Sequence, residues 1–273
     1  MQPMLNIAIR AARMAGTIIL KKSDDIPNVK IRNKRVNDFV TSVDLACEKE
    51  IIYHLHKAYP DHQILSEECG LIGNRESDYK WIVDPLDGTT NFIKQLNYSA
   101  VSIALQVKGK TELAVIYNPF ANDLFTALRG SGAQLNERKI RVSNKRDISG
   151  SFLSTGISAS DKFKSSYTQE LISIRKEILS FRYGGSLALD LANVACGRFD
   201  AGWTVNAEIW DIAAVDLLVR EAGGVVSELD GNVNYLTTGS VICGNSKIVS
   251  SLLKRISPHI GSDLEEKLDA EKD

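Results

Sequence analysis

Apolar positions near the start of the chain recur at helical spacing. Over residues 4–19 they form one stripe, which predicts a helix that ends at about Lys22. Residues 24–37 are polar and predict a loop, and over residues 43–55 the helical period returns, with Thr41 suited to cap its first turn. The pattern therefore predicts two amphipathic helices joined by a polar loop.

The apolar pattern changes to a period of two farther along. Residues 79–83 form a short apolar run that ends at an Asp-Pro pair, which predicts a strand entering a tight loop. Residues 100–106 and 112–117 flank a Lys-Gly-Lys turn and predict a hairpin. Further strands are predicted at residues 124–128 and 133–135. Strands grouped after paired helices are typical of an α+β layer.

Helix and strand patterns alternate beyond about residue 146. Helices are predicted at residues 166–178, 186–195 and 211–222, and strands near Phe152, Val225 and Val241. We therefore divide the chain into an N-terminal α+β half, residues 1–145, and a C-terminal α/β half, residues 146–273.

Composition and charge narrow the class of protein. Hydrophobic residues make up 44% and charged residues 25% of 273 residues, which is ordinary for a packed globular protein. The formal net charge of −1 argues against a global positive field that would attract nucleic acid or an anionic membrane. No segment has the apolar length of a membrane span, and four widely spaced cysteines suggest packed thiols, so a soluble cytoplasmic protein is expected.

One basic run, at residues 30–35, departs from this even charge. It is interpreted either as a solvated loop or as a flap that faces a phosphate or a partner.

The richest candidate chemistry follows the strand predicted at residues 79–83. Asp84 and Asp87 lie three residues apart around a proline, and oxygen ligands of this kind suit a hard cation. Gly88 and Thr89 then offer backbone N–H groups on an open turn, which can bind phosphate oxygens. In isolation the same residues could simply form a turn.

Further acids follow the same logic but are ambiguous singly. Glu67 and Glu68 end an apolar run, where they could merely terminate a strand. Asp211 opens a predicted helix, where it could be a helix cap.

Together these segments resemble the inositol monophosphatase family, and most closely its bacterial branch. The resemblance spans nearly the whole chain. It rests on four stretches: Asp38-Phe-Val-Thr41-Ser-Val-Asp44, Glu67-Glu68, Asp84-Pro-Leu86-Asp87-Gly88-Thr89-Thr-Asn-Phe92, and Trp210-Asp211 with the helix that follows to Gly224.

The resemblance implies a layered αβαβα sandwich, as in fructose bisphosphatases, with Mg²⁺ dependence, inhibition by Li⁺ and a homodimer. It implies that Asp44, Glu67 and Thr89 act in catalysis, and that Gly88 and Thr89 hold the phosphate of a small phosphate monoester. The implied metal ligands are Glu67, Asp84, the Leu86 carbonyl, Asp87 and Asp211.

Two positions depart from the family pattern on the substrate side. Thr204 stands where the family usually has an acid for an inositol hydroxyl, and Leu187 stands where a small residue is usual. Ser186, just before Leu187, is expected to bind substrate with them. Glu208 could supply the missing carboxylate, or it could be a surface residue, and Asp211 is also expected near the substrate.

Two functions of different classes follow from the resemblance. The first is hydrolysis of a phosphate monoester, with inositol 1-phosphate as the leading substrate and another sugar or nucleotide phosphate as the alternative. The second is a drifted member that mainly binds RNA polymerase or a transcription factor in antitermination.

Overall fold

The computed structural model describes residues 1–35, 38–156, 171–172 and 174–256. A short 3₁₀ turn covers Ile26–Asn28. The described helices are α1 Gln2–Ser23, α2 Ser42–Ala58, α3 Thr89–Ile93, α4 Leu187–Ala195, α5 Ile209–Glu221, α6 Tyr235–Thr238 and α7 at residues 246–256.

The strands of the described residues form a large, a small and a two-stranded sheet. The two-stranded sheet pairs β1 Ile31–Arg35 with β2 Asp38–Thr41. The large sheet contains β3 Gln63–Ser66, β4 Gly70–Gly73, β5 Tyr79–Asp87, β6 Ala100–Val107, β7 Lys110–Asn118, β8 Asp123–Leu128, β9 Gly132–Leu135 and β10 Arg138–Lys139. The small sheet contains β11 Phe152–Thr155, β12 Ser180–Arg182, β13 Ala201–Thr204, β14 Val225–Ser227 and β15 Val241–Gly244.

The large sheet has the strand order β10-β9-β8-β7-β6-β5-β3-β4 and is antiparallel except where β3 runs parallel to β5. The small sheet has the order β12-β11-β13-β15-β14, and β11 is parallel to both of its neighbours.

The elements stack as five layers. Helices α1 and α2 cover one face of the large sheet with the apolar stripe seen in the sequence. Helices α4 and α5 lie between the two sheets and are buried on nearly every side, and α7 packs on the far face of the small sheet. This is the αβαβα order that the sequence predicted, and it is confirmed.

Most of the predicted elements are present where the pattern indicated. Helices α1, α2, α4 and α5 match the four predicted there, and Thr41 caps α2 through bonds from Val43 N at 3.0 Å and Asp44 N at 3.4 Å. Of the helix predicted at residues 166–178, residues 171, 172 and 174 are helical and residues 175–178 form turns and a bend, while the other six lie outside the described residues. None of the described helices is long and apolar enough to span a membrane.

Three predictions were wrong in detail. Strand β5 does not stop at Asp84 but continues to Asp87, because a bulge between them leaves Pro85, which has no N–H, outside the ladder with β6. The polar stretch at residues 24–37 contains strand β1 rather than loop alone. All four cysteines are free, but Cys69 is exposed rather than packed.

Candidate metal centre and phosphate cleft

Three carboxylates meet where β5 ends and α5 begins. Asp84, Asp87 and Asp211 each offer an oxygen within 4.8 Å of the others. No lysine or arginine among the described residues forms an ion pair with them. Three anions at this spacing repel one another unless cations or protons neutralise them.

Asp84 is the most deeply buried of the three, with 2% of its surface exposed. The β5 bulge turns the chain so that Leu86 N donates to Asp84 Oδ1 at 2.9 Å. Burial, reinforced by the charges of Glu67, Asp87 and Asp211, raises the pKa of Asp84 well above its usual range. A divalent cation would relieve that cost.

Asp87 joins the large sheet to the first turn of α4. Its Oδ2 accepts bonds from Ser186 Oγ at 2.5 Å and Ala188 N at 2.8 Å, and its Oδ1 accepts a longer one from Leu187 N at 3.3 Å. Burial outweighs these donors and raises the pKa of Asp87 to about 6. Ser186, predicted to bind substrate, therefore supports a candidate ligand.

Asp211 lies in the first turn of α5. Glu208 N donates to Asp211 Oδ2 at 2.9 Å, which fixes the carboxylate as part of a capping box. Burial, together with the charges of Asp87 and Glu67, raises the pKa of Asp211 well above its usual range. The Glu208 residue itself is exposed at the helix start.

Glu67 follows β3 and contacts a lysine from the basic run. Lys34 Nζ lies 2.8 Å from Glu67 Oε1 and also forms an ion pair with Glu68. Burial raises the pKa of Glu68 to about 7. The basic run thus forms a strand that brings one ammonium group to these acids. The sequence had left two interpretations of the run, a solvated loop or a flap facing a phosphate or a partner.

Asp44 and Thr89 form a hydrogen-bonded pair at the edge of the cluster. Thr89 Oγ1 lies 2.9 Å from Asp44 Oδ1 and 3.2 Å from the Leu86 carbonyl, so its one proton has two acceptors. Thr41 N holds the other oxygen of Asp44 at 2.9 Å. Burial raises the pKa of Asp44.

Gly88 makes the turn into α3 with a φ of +89°. A Cβ there would lie 3.1 Å from the Tyr98 carbonyl and 3.2 Å from the Gly185 carbonyl, so glycine suits both the angle and the space. The turn borders a cleft of about 450 Å³. Its lining includes Phe39, Glu67, Gly88, Thr89, Asn91 and Tyr183.

A hydrogen-bonded network behind the turn contains residues whose roles the sequence did not reveal. Asn91 Nδ2 donates to the carbonyls of Tyr98 at 2.7 Å and Gly184 at 2.8 Å. Tyr98 OH and Gly184 N donate to the two oxygens of buried Asp190 at 2.7 and 2.9 Å. Burial raises the pKa of Asp190 to about 6. Asn91 stands inside a quoted motif, which was the available signal, whereas Asp190 lies outside the quoted stretches.

The two departures from the family pattern have different surroundings, since Thr204 is buried whereas Leu187 N lies 3.3 Å from Asp87 Oδ1. Thr204 ends β13 and is 5% exposed, while Leu187 packs against the core between the sheets. Neither is among the described residues that line the cleft. Their predicted contact with substrate stays a prediction.

The donor set fits a hard divalent cation. Every candidate ligand is an oxygen, and the carboxylates are partly or fully buried without a basic partner apart from Glu67. Of the predicted ligands, the structure brings Asp84, Asp87 and Asp211 together, whereas Glu67 and the Leu86 carbonyl stay predictions.

The fold and this site define a class: layered α/β proteins with a buried carboxylate cluster beside a glycine turn. The family model described as "Inositol monophosphatase family" matches residues 1–262. The chain therefore belongs to the inositol monophosphatase family.

Individual relatives agree with this assignment. The chain is 47% identical over 265 residues to Nus factor SuhB of Escherichia coli strain K12, covering 97% of this chain and 99% of that protein. The crystal structure of extragenic suppressor protein suhB from Bartonella henselae matches with a TM-score of 0.90 at 40% identity, covering 92% and 97%. An inositol monophosphatase from Anabaena matches with a TM-score of 0.83 at 34% identity, covering 94% and 96%.

Proposed function

We propose that this chain hydrolyses a small phosphate monoester with Mg²⁺ held by Glu67, Asp84, Leu86 O, Asp87 and Asp211. The observation that carries the proposal is the cluster of three carboxylates within 4.8 Å, unpaired by any described basic residue and next to the Gly88 turn. Such a cluster is costly without cations, and a phosphate would complete their coordination.

In this proposal the protein's own groups position the reactants. Bound Mg²⁺ supplies charge neutralisation and lowers the pKa of water. The N–H groups of Gly88 and Thr89 orient the phosphate. Thr89 Oγ1, which donates to Asp44 at 2.9 Å, is free to accept a hydrogen bond from the attacking water. Asp44, with its raised pKa, can take up the proton through Thr89, and Glu67 orients the same water.

Inositol 1-phosphate is the leading substrate in this proposal, because a structural relative is titled an inositol monophosphatase. Because Thr204 stands where the family usually has an acid, another sugar or nucleotide phosphate is the alternative. Li⁺ is expected to inhibit by competing at the all-oxygen site.

The test is a panel of phosphate monoesters assayed with Mg²⁺, with excess chelator and with added Li⁺. Asp87→Asn should lower kcat/KM at least about 100-fold, because even a ligand's supporting partner is worth about 10- to 100-fold. Asp78→Asn is the matched control, since Asp78 is 58% exposed and pairs only loosely with Lys108 at 3.6 Å. Undiminished turnover in chelator, or in folded Asp87→Asn, would reject the proposal.

A second candidate function is supported by the name Nus factor SuhB, which relatives of 44–47% identity carry. We propose that this chain, as a cytoplasmic homodimer, also binds RNA polymerase or a transcription factor at a surface separate from the cleft. Binding to purified RNA polymerase should then survive Asp84→Asn. Light scattering would measure the dimer, and equal loss of binding and hydrolysis in that variant would contradict a separate surface.

A further inference from the structure

A second charged feature lies outside the cleft, at residues 138–146. This basic segment carries five positive charges and no negative one, in a chain whose net charge is −1. Glu137 and Asp147 flank it. Its basic residues are Arg138, Lys139, Arg141, Lys145 and Arg146, of which all but the half-buried Lys145 are exposed.

The backbone of the basic segment is held at several points. Ile140 N donates to the Ala133 carbonyl at 3.0 Å, and Val142 N donates to the Ala222 carbonyl at 3.1 Å. Asn245 Nδ2 donates to the carbonyls of Ser143 at 2.8 Å and Lys145 at 2.5 Å. Because the backbone is already ordered, a ligand would pay little entropy to bind there.

Among the five charged groups, the guanidinium of Arg141 donates to the carbonyl of Ile140 at 2.9 Å. None forms an ion pair with another described residue. The apolar residues of the segment, Ile140 and Val142, pack inward against the core between the sheets. The segment therefore shows solvent a charged surface without the apolar anchor that a protein interface usually needs.

The basic segment is also remote from the candidate metal centre. Val142 is bonded to Ala222, directly after the last residue of α5, whereas Asp211 lies in the first turn of that helix. Eleven residues at a rise of 1.5 Å separate these positions by about 16 Å along the helix axis. A ligand on the segment need not enter the cleft.

We propose that the basic segment binds the phosphate backbone of single-stranded RNA. Nine residues span at most about 30 Å, over which a nucleic acid strand presents several phosphates. Three of the five groups are arginines, whose planar guanidinium suits phosphate oxygens. Charges on the edge strand β10 can also prevent it from pairing with another chain. One or two charges would be enough for that role, so it does not account for all five. The proposal does not depend on hydrolysis.

The test is fluorescence anisotropy of the full chain with an oligouridylate of about 20 nucleotides, over a series of salt concentrations. A triple variant, Arg138→Gln, Lys139→Gln and Arg141→Gln, removes three charges. The matched control removes three exposed charges elsewhere: Lys21→Gln, Lys22→Gln and Lys110→Gln.

Each phosphate contact on a single strand contributes about 0.7 to the slope of log affinity against log salt. The basic-segment variant should therefore lose about 2 from that slope and roughly 100-fold in affinity at about 0.1 M salt, whereas the control should change less than about twofold. Asp84→Asn should bind RNA as the wild type does.

Three results would overturn the inference: no binding at low salt, equal loss in both triple variants, or competition by polyglutamate as effective as that by RNA. The last would assign the segment to an acidic protein.

Discussion

Replacing Asp87 by asparagine should stabilise the metal-free protein while destroying its response to cations. Burial raises the pKa of Asp87 from 3.8 to about 6, so the ionised group destabilises the folded state at pH 8 by about 3 kcal/mol. Asparagine removes that charge. Its oxygen can still accept from Ser186 Oγ and Ala188 N, so only the long bond from Leu187 N is lost, at about 1 kcal/mol. The net gain is about 2 kcal/mol.

The pH dependence follows from the direction of the shift. Because the pKa of Asp87 is higher in the folded state than in the unfolded state, the folded state holds the proton more tightly at pH values between the two. The destabilisation caused by the ionised carboxylate therefore grows as pH rises and is complete above the folded pKa. At pH 5 the charge penalty is roughly halved and nearly cancels the lost bond. The advantage of Asp87→Asn should therefore almost vanish there.

Thermal unfolding in chelator, followed by circular dichroism, is the assay. At about 2–4 °C per kcal/mol, Asp87→Asn should melt roughly 4–8 °C above the wild type at pH 8 and within about 2 °C of it at pH 5. Mg²⁺ at about 100 times its Kd should add about 2.7 kcal/mol to the wild type and little to the variant. The reasoning fails if Asp87→Asn melts below the wild type at pH 8 in chelator, or if the difference is the same at both pH values.

Three further substitutions address neighbouring groups. Lys34→Met should raise the affinity for Mn²⁺ by about tenfold in calorimetry, because the ammonium on Glu67 no longer competes with the cation. Lys30→Met is the control: it removes the same charge from a lysine that forms no ion pair within the described chain, and it should leave the affinity unchanged. Tyr98→Phe removes the hydroxyl that donates to Asp190 and accepts from Asn193, two hydrogen bonds worth about 1 kcal/mol each. Hydrogen exchange over residues 184–188 should speed up without global stability falling by more than about 2 kcal/mol. Thr204→Glu places a carboxylate at a 5% exposed position, so it should lower the melting temperature and should not improve hydrolysis of inositol 1-phosphate. A gain in kcat/KM for that substrate would refute this prediction.

Local patterns predicted most helices and strands, whereas the order of the layers and the set of candidate acids followed from the family resemblance. Helical periods located α1, α2, α4 and α5, and the family motifs contained every acid of the cluster. The bonds from α4 to Asp87 could not be predicted, since they join residues about a hundred positions apart. Pro85 misled the prediction for β5, because a bulge can keep a proline inside a strand. The division near residue 145 stays a prediction.

The contact of Lys34 with Glu67 also lay beyond local patterns. A run of basic residues in the sequence does not show which way their side chains point. Only the pairing of β1 with β2 brings the Lys34 ammonium to the acids. The burial of Thr204 was missed for a similar reason, because its strand is covered only once the small sheet has formed.

Three acids of the candidate site also cap the N-terminal ends of helices. Asp44 completes the capping box of α2, Asp211 that of α5, and Asp87 receives the first amides of α4. Each of them therefore holds a helix end whatever chemistry the cleft performs. A descendant that had abandoned hydrolysis would still lose helix ends by discarding them. If these acids persist in a lineage, their role in capping helices explains it as well as a catalytic role does.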